Sequence, residues 1–357
     1  MNASSAPRFA MTRPARHRRP WRTRTALAIT AALAYIPAVA APAHAFGPGT
    51  HTKITEGALP DFQAKSLEAM AAGDLGVNKE AWGAIRGSDR GDYYPNQTRY
   101  HCDDADYLAA GYLKGGQYPR TRQQATAELL ACVQTAVEEF HAAVAAADKL
   151  VGSKGNINTK EVDLSSWCKY NDKPDGKEPD RAKCEVFEHL GRAWHGIEDF
   201  YSHSNWTDHA NPNQPISVTN PPGLQKTAPA PFFTLRAYNN QSTATWEAEA
   251  TKEMDKTPDL ATGCAHDEYE HDDQKHHNDC TGRINHYDVN GKGGLSKEGS
   301  RADTGGNGKH AESVATDDIK RQWKDFQDEL RAKYPHGRGE KMICALTHDA
   351  PTDATCK

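Results

Sequence analysis

The sequence predicts a mainly α-helical chain, folded as one compact multi-helix domain and stapled by disulfides, on three grounds. Several long stretches repeat apolar residues at intervals of three and four, and the longest contains neither glycine nor proline. No stretch shows the apolar–polar alternation of a half-buried strand, so strands should be few. Eight cysteines, an even number, all follow a leader of the secretory type.

That leader comes first. Arg8, Arg13, Arg16, Arg18, Arg19, Arg22 and Arg24 form a positive segment without an acid, an apolar run follows from Ala26 to Ala40, and Ala43-His44-Ala45 closes it with small residues. A secretory signal peptide over residues 1–45 is expected, with the mature chain secreted and beginning at Phe46. A membrane anchor is the alternative, but the apolar run is short for a span and ends on a cleavage-type motif. Residues 46–357 then form the domain, long enough for a substantial core. The leader holds seven of the 43 basic residues and none of the 48 acids, so the mature chain carries −12 against −5 for the whole. A surface of that sign does not steer a polyanion inward, and stable nucleic-acid binding is not expected.

Within the domain, short helices are expected over 53–59 and 61–72. A long amphipathic one covers 122–151, and a fourth covers 186–201 with Phe187, Leu190, Trp194 and Ile197 on its stripe. A last helix covers 313–334. Three segments read as loops: 171–180, the Pro-rich 211–231, and the acidic, His-rich 266–279. Phe232-Phe233, directly after the Pro-rich stretch, read as exposed and available to a lipid surface. The 288–292 stretch opens like a calcium loop but lacks the third oxygen ligand and the distal Glu.

The cysteines read as disulfides in an exported chain, and neighbour pairing is the simplest arrangement: 102–132, 168–184, 264–280 and 344–356. None has a C-x-x-C spacing, so a metal would have to be held by histidine and carboxylate.

The strongest chemical motif is His195-Gly-Ile-Glu-Asp199-Phe-Tyr-Ser-His203. At about 3.6 residues per turn, positions 195, 199 and 203 stack on one helix face as imidazole, carboxylate and imidazole. Those are the ligand types for zinc where cysteine is absent. A lone helical histidine is more often structural; this spacing reverses the balance.

Phe46-Gly-Pro-Gly-Thr-His51, at the expected new N-terminus, is the second motif. Together with Leu190-Gly-Arg-Ala-Trp-His195 and the Asp199-to-Trp206 stretch, it resembles the superfamily of zinc-dependent phospholipase C and P-one-type nucleases. The wording of residues 199–206 is most similar to the Het-C and CinY-like branch. The resemblance implies a helical fold around two or three Zn2+ ions, in which the processed N-terminal residue, here Phe46, is itself a ligand through its amine and carbonyl. A neutral α-amine can donate its lone pair once metal displaces its proton. By the same resemblance His51, Asp89, His101, His195 and Asp199 complete two sites, with Asp89 also the expected catalytic carboxylate and Asp92 its alternative. His203 and His310 would hold a third ion. The family has Glu four residues after the position of His310, where this chain has Val314; Asp317, Glu312 or a water are the possible substitutes.

The activity implied is phosphoester hydrolysis by a metal-activated water, with phospholipid favoured and transient contact with a membrane surface through Phe232 and Phe233. A single-strand nuclease or nucleotidase is the alternative, suggested by a histidine at the sixth mature position. Bases would then stack on Tyr93, Tyr94 or Trp206. A secreted, non-catalytic metal-binding or interaction protein on the same scaffold is the third possibility.

Overall fold

The apolar stripes assemble around one helix that has no solvent face. The structure, a computed structural model, describes residues 46–72, 83–85, 98–170, 180–265, 279–287 and 293–357. The leader, the acidic His-rich stretch 266–278 and the 288–292 segment lie outside the described residues.

Among the described residues ten α-helices follow in order: α1 (Pro48–Ala58), α2 (Ala64–Ala71), α3 (Thr98–His101), α4 (Arg122–Ala146), α5 (Ala182–His203), α6 (Leu235–Asn239), α7 (Thr243–Asp255), α8 (Ser300–Asp303), α9 (Asn307–Lys333) and α10 (Arg338–Thr347). Among the described residues there are no strands, only isolated bridges such as Ser204–Thr262 and Cys264–Asn285. The five expected helices are present. α1 starts five residues earlier than the pattern suggests, because Pro48 sits in its first turn, where a missing N–H does no harm. The 122–151 helix ends at Ala146 and tightens into a 3-10 turn over Ala147–Leu150.

α5 is the centre. All of its residues except Glu185 and His189 are buried, so apolar and polar faces alike are enclosed. A helix enclosed on all sides needs neighbours all round. α4 packs along it, α9 covers another side, and α1, α2 and α3 close the rest. α4 begins with a capping box: Thr121 Oγ1 accepts from Gln124 N at 3.2 Å and Gln124 Oε1 accepts from Thr121 N at 2.8 Å. Such a cap contributes about 1 kcal/mol. On α9 the buried positions Ala311, Val314, Ala315, Ile319, Trp323, Phe326 and Leu330 keep the helical period, and Tyr201 of α5 donates to Asp318 at 2.6 Å.

The Pro-rich segment ends in the core, which corrects one expectation. Phe232 and Phe233 are fully buried, with ring centroids 5.4 and 5.2 Å from Phe200, and Trp206 packs 5.9 Å from Phe232. Four aromatic rings seal one flank of α5, and burial of that much apolar area outweighs any surface role. Neither phenylalanine is available to a lipid surface.

All four disulfides follow neighbour pairing: Cys102–Cys132, Cys168–Cys184, Cys264–Cys280 and Cys344–Cys356. Each closes a loop of 12 to 30 residues, worth about 2–4 kcal/mol.

Lys183, near the start of α5, is fully buried; its Nζ donates to Ser66 Oγ at 2.9 Å and to the His348 carbonyl at 2.6 Å. Burial, only partly opposed by Asp349, lowers its pKa from 10.5 to about 7. Unfolded chains therefore bind more protons at this residue between those values, and its contribution to stability rises with pH there, by up to about 1.4 kcal/mol per unit. Thermal melts should show wild type gaining on Lys183→Met from pH 7 to 10; a constant difference in Tm would contradict the buried, neutral lysine.

Candidate metal centre

One carboxylate organises the centre. His195, Asp199 and His203 stand on one face of α5, and three other elements bring partners to that face. α1 turns His51, Ile54, Thr55 and Ala58 inward, so its histidine is wholly buried. α3 ends at His101, and the turn after it supplies Asp103. Gly196 makes that approach possible, because a Cβ there would sit 2.7 Å from the Tyr100 carbonyl oxygen. The turn itself is left-handed at Cys102 (φ 55°) and Asp104 (φ 62°), a conformation costing non-glycine residues about 1–2 kcal/mol each.

Asp199 Oδ2 lies 2.5 Å from His101 Nδ1 and 3.0 Å from His195 Nε2. Its Oδ1 lies 3.2 Å from His51 Nε2 and 3.8 Å from His203 Nε2. Two of these rings are fixed from behind. His195 Nδ1 meets the Ile85 carbonyl at 2.8 Å, and His51 Nδ1 meets Glu198 Oε2 at 2.6 Å, while Thr55 donates to the other Glu198 oxygen at 2.9 Å. An imidazole tied through one nitrogen to an acceptor, with the other aimed inward, has the orientation of a metal ligand.

The electrostatics point the same way. Burial drives the Asp199 carboxyl up, but His195, His203 and His101 hold it well below the usual range. Burial and His195 push the His51 imidazole down, yet Asp199 and Glu198 outweigh them and raise it to about 9. Burial, with His286, lowers His203 to about 4 against the pull of Asp103 and Asp199, leaving a neutral ring. Burial also raises Glu198, against the opposing pull of His51 and Thr55. His51 Nε2, Asp199 Oδ1 and His203 Nε2 are buried without a hydrogen-bond partner, and each such atom costs about 1–3 kcal/mol. A cation between His51 Nε2 and Asp199 Oδ1 satisfies those two, so the residues fit a metal ion.

His203 differs from expectation. It meets Asp103 Oδ1 at 2.7 Å, with His286 Nδ1 3.0 Å from the same oxygen, and these three residues form a second group able to hold a metal. His310 is not part of it: the residue is exposed, its ring 5.8 Å from His209. Val314 is buried, Glu312 is paired with Lys53, and Asp317 lies at the surface 3.7 Å from Lys320. The reason is geometric. α9 packs its apolar stripe on α5 through Ala311, Val314 and Ala315, which leaves His310 facing solvent.

Of the remaining expected residues, Phe46 is buried with its ring edge-on to His51 at 5.9 Å. Asp89, Asp92, Tyr93 and Tyr94 lie outside the described residues. Trp206 is buried and donates to the Ala228 carbonyl at 2.9 Å, which removes it as a stacking platform. Three residues were not anticipated. Asp103 and Glu198 each sit beside an expected ligand and were legible by adjacency. His286, 83 residues beyond His203, carries no local signal. A third group, Cys168, Asp180 and Cys184, is accounted for by the disulfide.

If Glu198 orients His51, Glu198→Gln should weaken divalent-metal affinity by about 10–100-fold, with Thr55→Val doing less, as read by competition with a fluorescent chelator. Unchanged affinity in Glu198→Gln would remove that role. No protein-family model, curated protein or solved structure matches this chain.

Proposed function

We propose that this chain is an exported, zinc-dependent phosphoesterase whose reacting centre is the His51, His101, His195 and Asp199 cluster, with phospholipid as the favoured substrate. The observation that supports it is the convergence of three helices, α1, α3 and α5, on Asp199, with ring and carboxylate atoms left unpartnered in the interior.

When bound, zinc supplies Lewis acidity toward a phosphoester and its attacking water. The chain's own residues supply the rest. Asp199 presents both oxygens; Ile85 fixes the tautomer of His195; Glu198 fixes that of His51. His101, with its side chain 16% exposed, is the rim by which substrate reaches a cluster whose other members are sealed. All eight cysteines are in disulfides, so no thiol nucleophile competes with water. The acidic balance of the mature chain favours phospholipid over a nucleic acid. With Phe232 and Phe233 in the core, transient lipid contact falls to other residues. Among those described, Tyr112 and Trp167 are the large apolar side chains exposed.

A second reading, a secreted protein that holds metal without turnover, is favoured by the complete burial of His51, His195 and Asp199. The two part company experimentally. Purified mature chain should contain zinc and hydrolyse phosphatidylcholine vesicles, with activity lost to a chelator and in His195→Ala. Faster hydrolysis of single-stranded DNA would move the substrate to nucleic acid. Stoichiometric zinc with no hydrolysis of either would favour the second reading.

A further inference from the structure

We propose that Asp103, His203 and His286 form a second metal site, separate from the cluster on His51, and that the Cys264–Cys280 disulfide must be closed for this site to assemble. The ion is a divalent transition metal of the zinc class, since two imidazoles and a carboxylate suit it and no thiolate is present.

The donor geometry is the first support. Asp103 Oδ1 lies 2.7 Å from His203 Nδ1 and 3.0 Å from His286 Nδ1, and the two rings stand 3.6 Å apart, tilted by 46°. All three residues are at least nine-tenths buried. His203 Nε2 and His286 Nε2 lack a hydrogen-bond partner. Two imidazolium rings at that separation repel, and two neutral rings strand their nitrogens in the interior. A bound cation removes both difficulties. A purely structural His–Asp–His bridge partners the two Nδ1 atoms but leaves both Nε2 atoms stranded.

The second support is how His286 is delivered. It lies in neither helix nor strand, and its position depends on the stretch at 263–264. The His286 amide donates to the Cys264 carbonyl at 2.9 Å, and the Cys264 amide donates to the Ile284 carbonyl at 2.8 Å. Gly263 is packed so closely that a Cβ would fall 2.3 Å from His286 Cα. The same stretch holds the other side of the site, because the Gly263 carbonyl accepts from the Asp104 amide at 3.0 Å, next to Asp103. Residues 263–264 therefore tie the Asp103 turn to the His286 segment, and the bond from Cys264 to Cys280 anchors the start of that segment. With the bridge open, residues 280–287 rest on backbone hydrogen bonds, the Arg283 pairs with Asp104 and Asp106 and the burial of Ile284, and loop-closure entropy works against that register.

Zinc content of the oxidised mature chain, measured by mass spectrometry after dialysis against dilute zinc, tests both parts. Wild type should hold two ions. His286→Asn should lose one and keep the one that His51→Ala removes, with Co2+ replacing zinc to give two separable absorption bands. A single ion removed by His51→Ala and untouched in His286→Asn would overturn the second site and leave the first standing. Cys264→Ser/Cys280→Ser should behave like His286→Asn, and retention of both ions would overturn the disulfide requirement. Should that double variant fail to fold by circular dichroism, reduction of the wild-type chain decides instead. Linkage is reciprocal for equilibria, so zinc should shift the Cys264–Cys280 bridge by about 10-fold or more toward the disulfide in equilibrium with a dithiol reductant, and an equal equilibrium with and without zinc would overturn the dependence.

Discussion

Asp199 places a negative charge one turn before the end of a helix whose last turns touch no solvent, and the surrounding architecture answers that charge. An unpaired carboxylate so deeply buried is prohibitive unless cations or donors surround it. Here the compensation is four imidazoles within 4 Å, drawn from α1, α3 and α5. Their convergence requires α3 to pack against the backbone of α5 at Gly196 and α1 to present a histidine on its inner face. Replace the carboxylate with an apolar residue and the three elements lose their common reason to meet.

The supporting layer is as specific as the cluster. Glu198 and Asp199 are adjacent on α5 but have opposite roles, one holding a ring from behind and the other receiving rings from the front. Burial raises the first carboxyl, while the neighbouring histidines hold the second far down. Two neighbouring acids driven apart in this way are a mark of a site rather than of a packed interior. α4 and α9 contribute no ligand. They enclose α5 so that its polar face is screened from water, which strengthens every electrostatic interaction inside.

Much of this was legible in the residues and some was not, for identifiable reasons. Helical period located the long helices, because their buried stripes are continuous; α7 and α10 were not anticipated, although Met342, Ile343, Ala345 and Leu346 mark the inner face of α10. Spacing alone placed His195, Asp199 and His203 on one face. Nearest-neighbour cysteine pairing also held. Exposure of Phe232 and Phe233 was misjudged because a Pro-rich run sets backbone conformation and says nothing about where the chain goes next. His310 stands exposed outside the His203 group, and His286 was overlooked, for a related reason. A ligand brought in by a long excursion of the chain is fixed by tertiary path, to which local pattern is blind.

His101, Cys102 and Asp103 are consecutive, yet the first faces the Asp199 cluster, the third faces His203 and His286, and the residue between them is bonded to Cys132 in α4. Two left-handed residues, Cys102 and Asp104, make such divergence possible over so short a distance. The tripeptide works as a rigid yoke with its pivot clamped to α4. Neither group of ligands can shift without dragging the other, so the interval between the two centres is a property of covalent structure and not of whatever happens to occupy them.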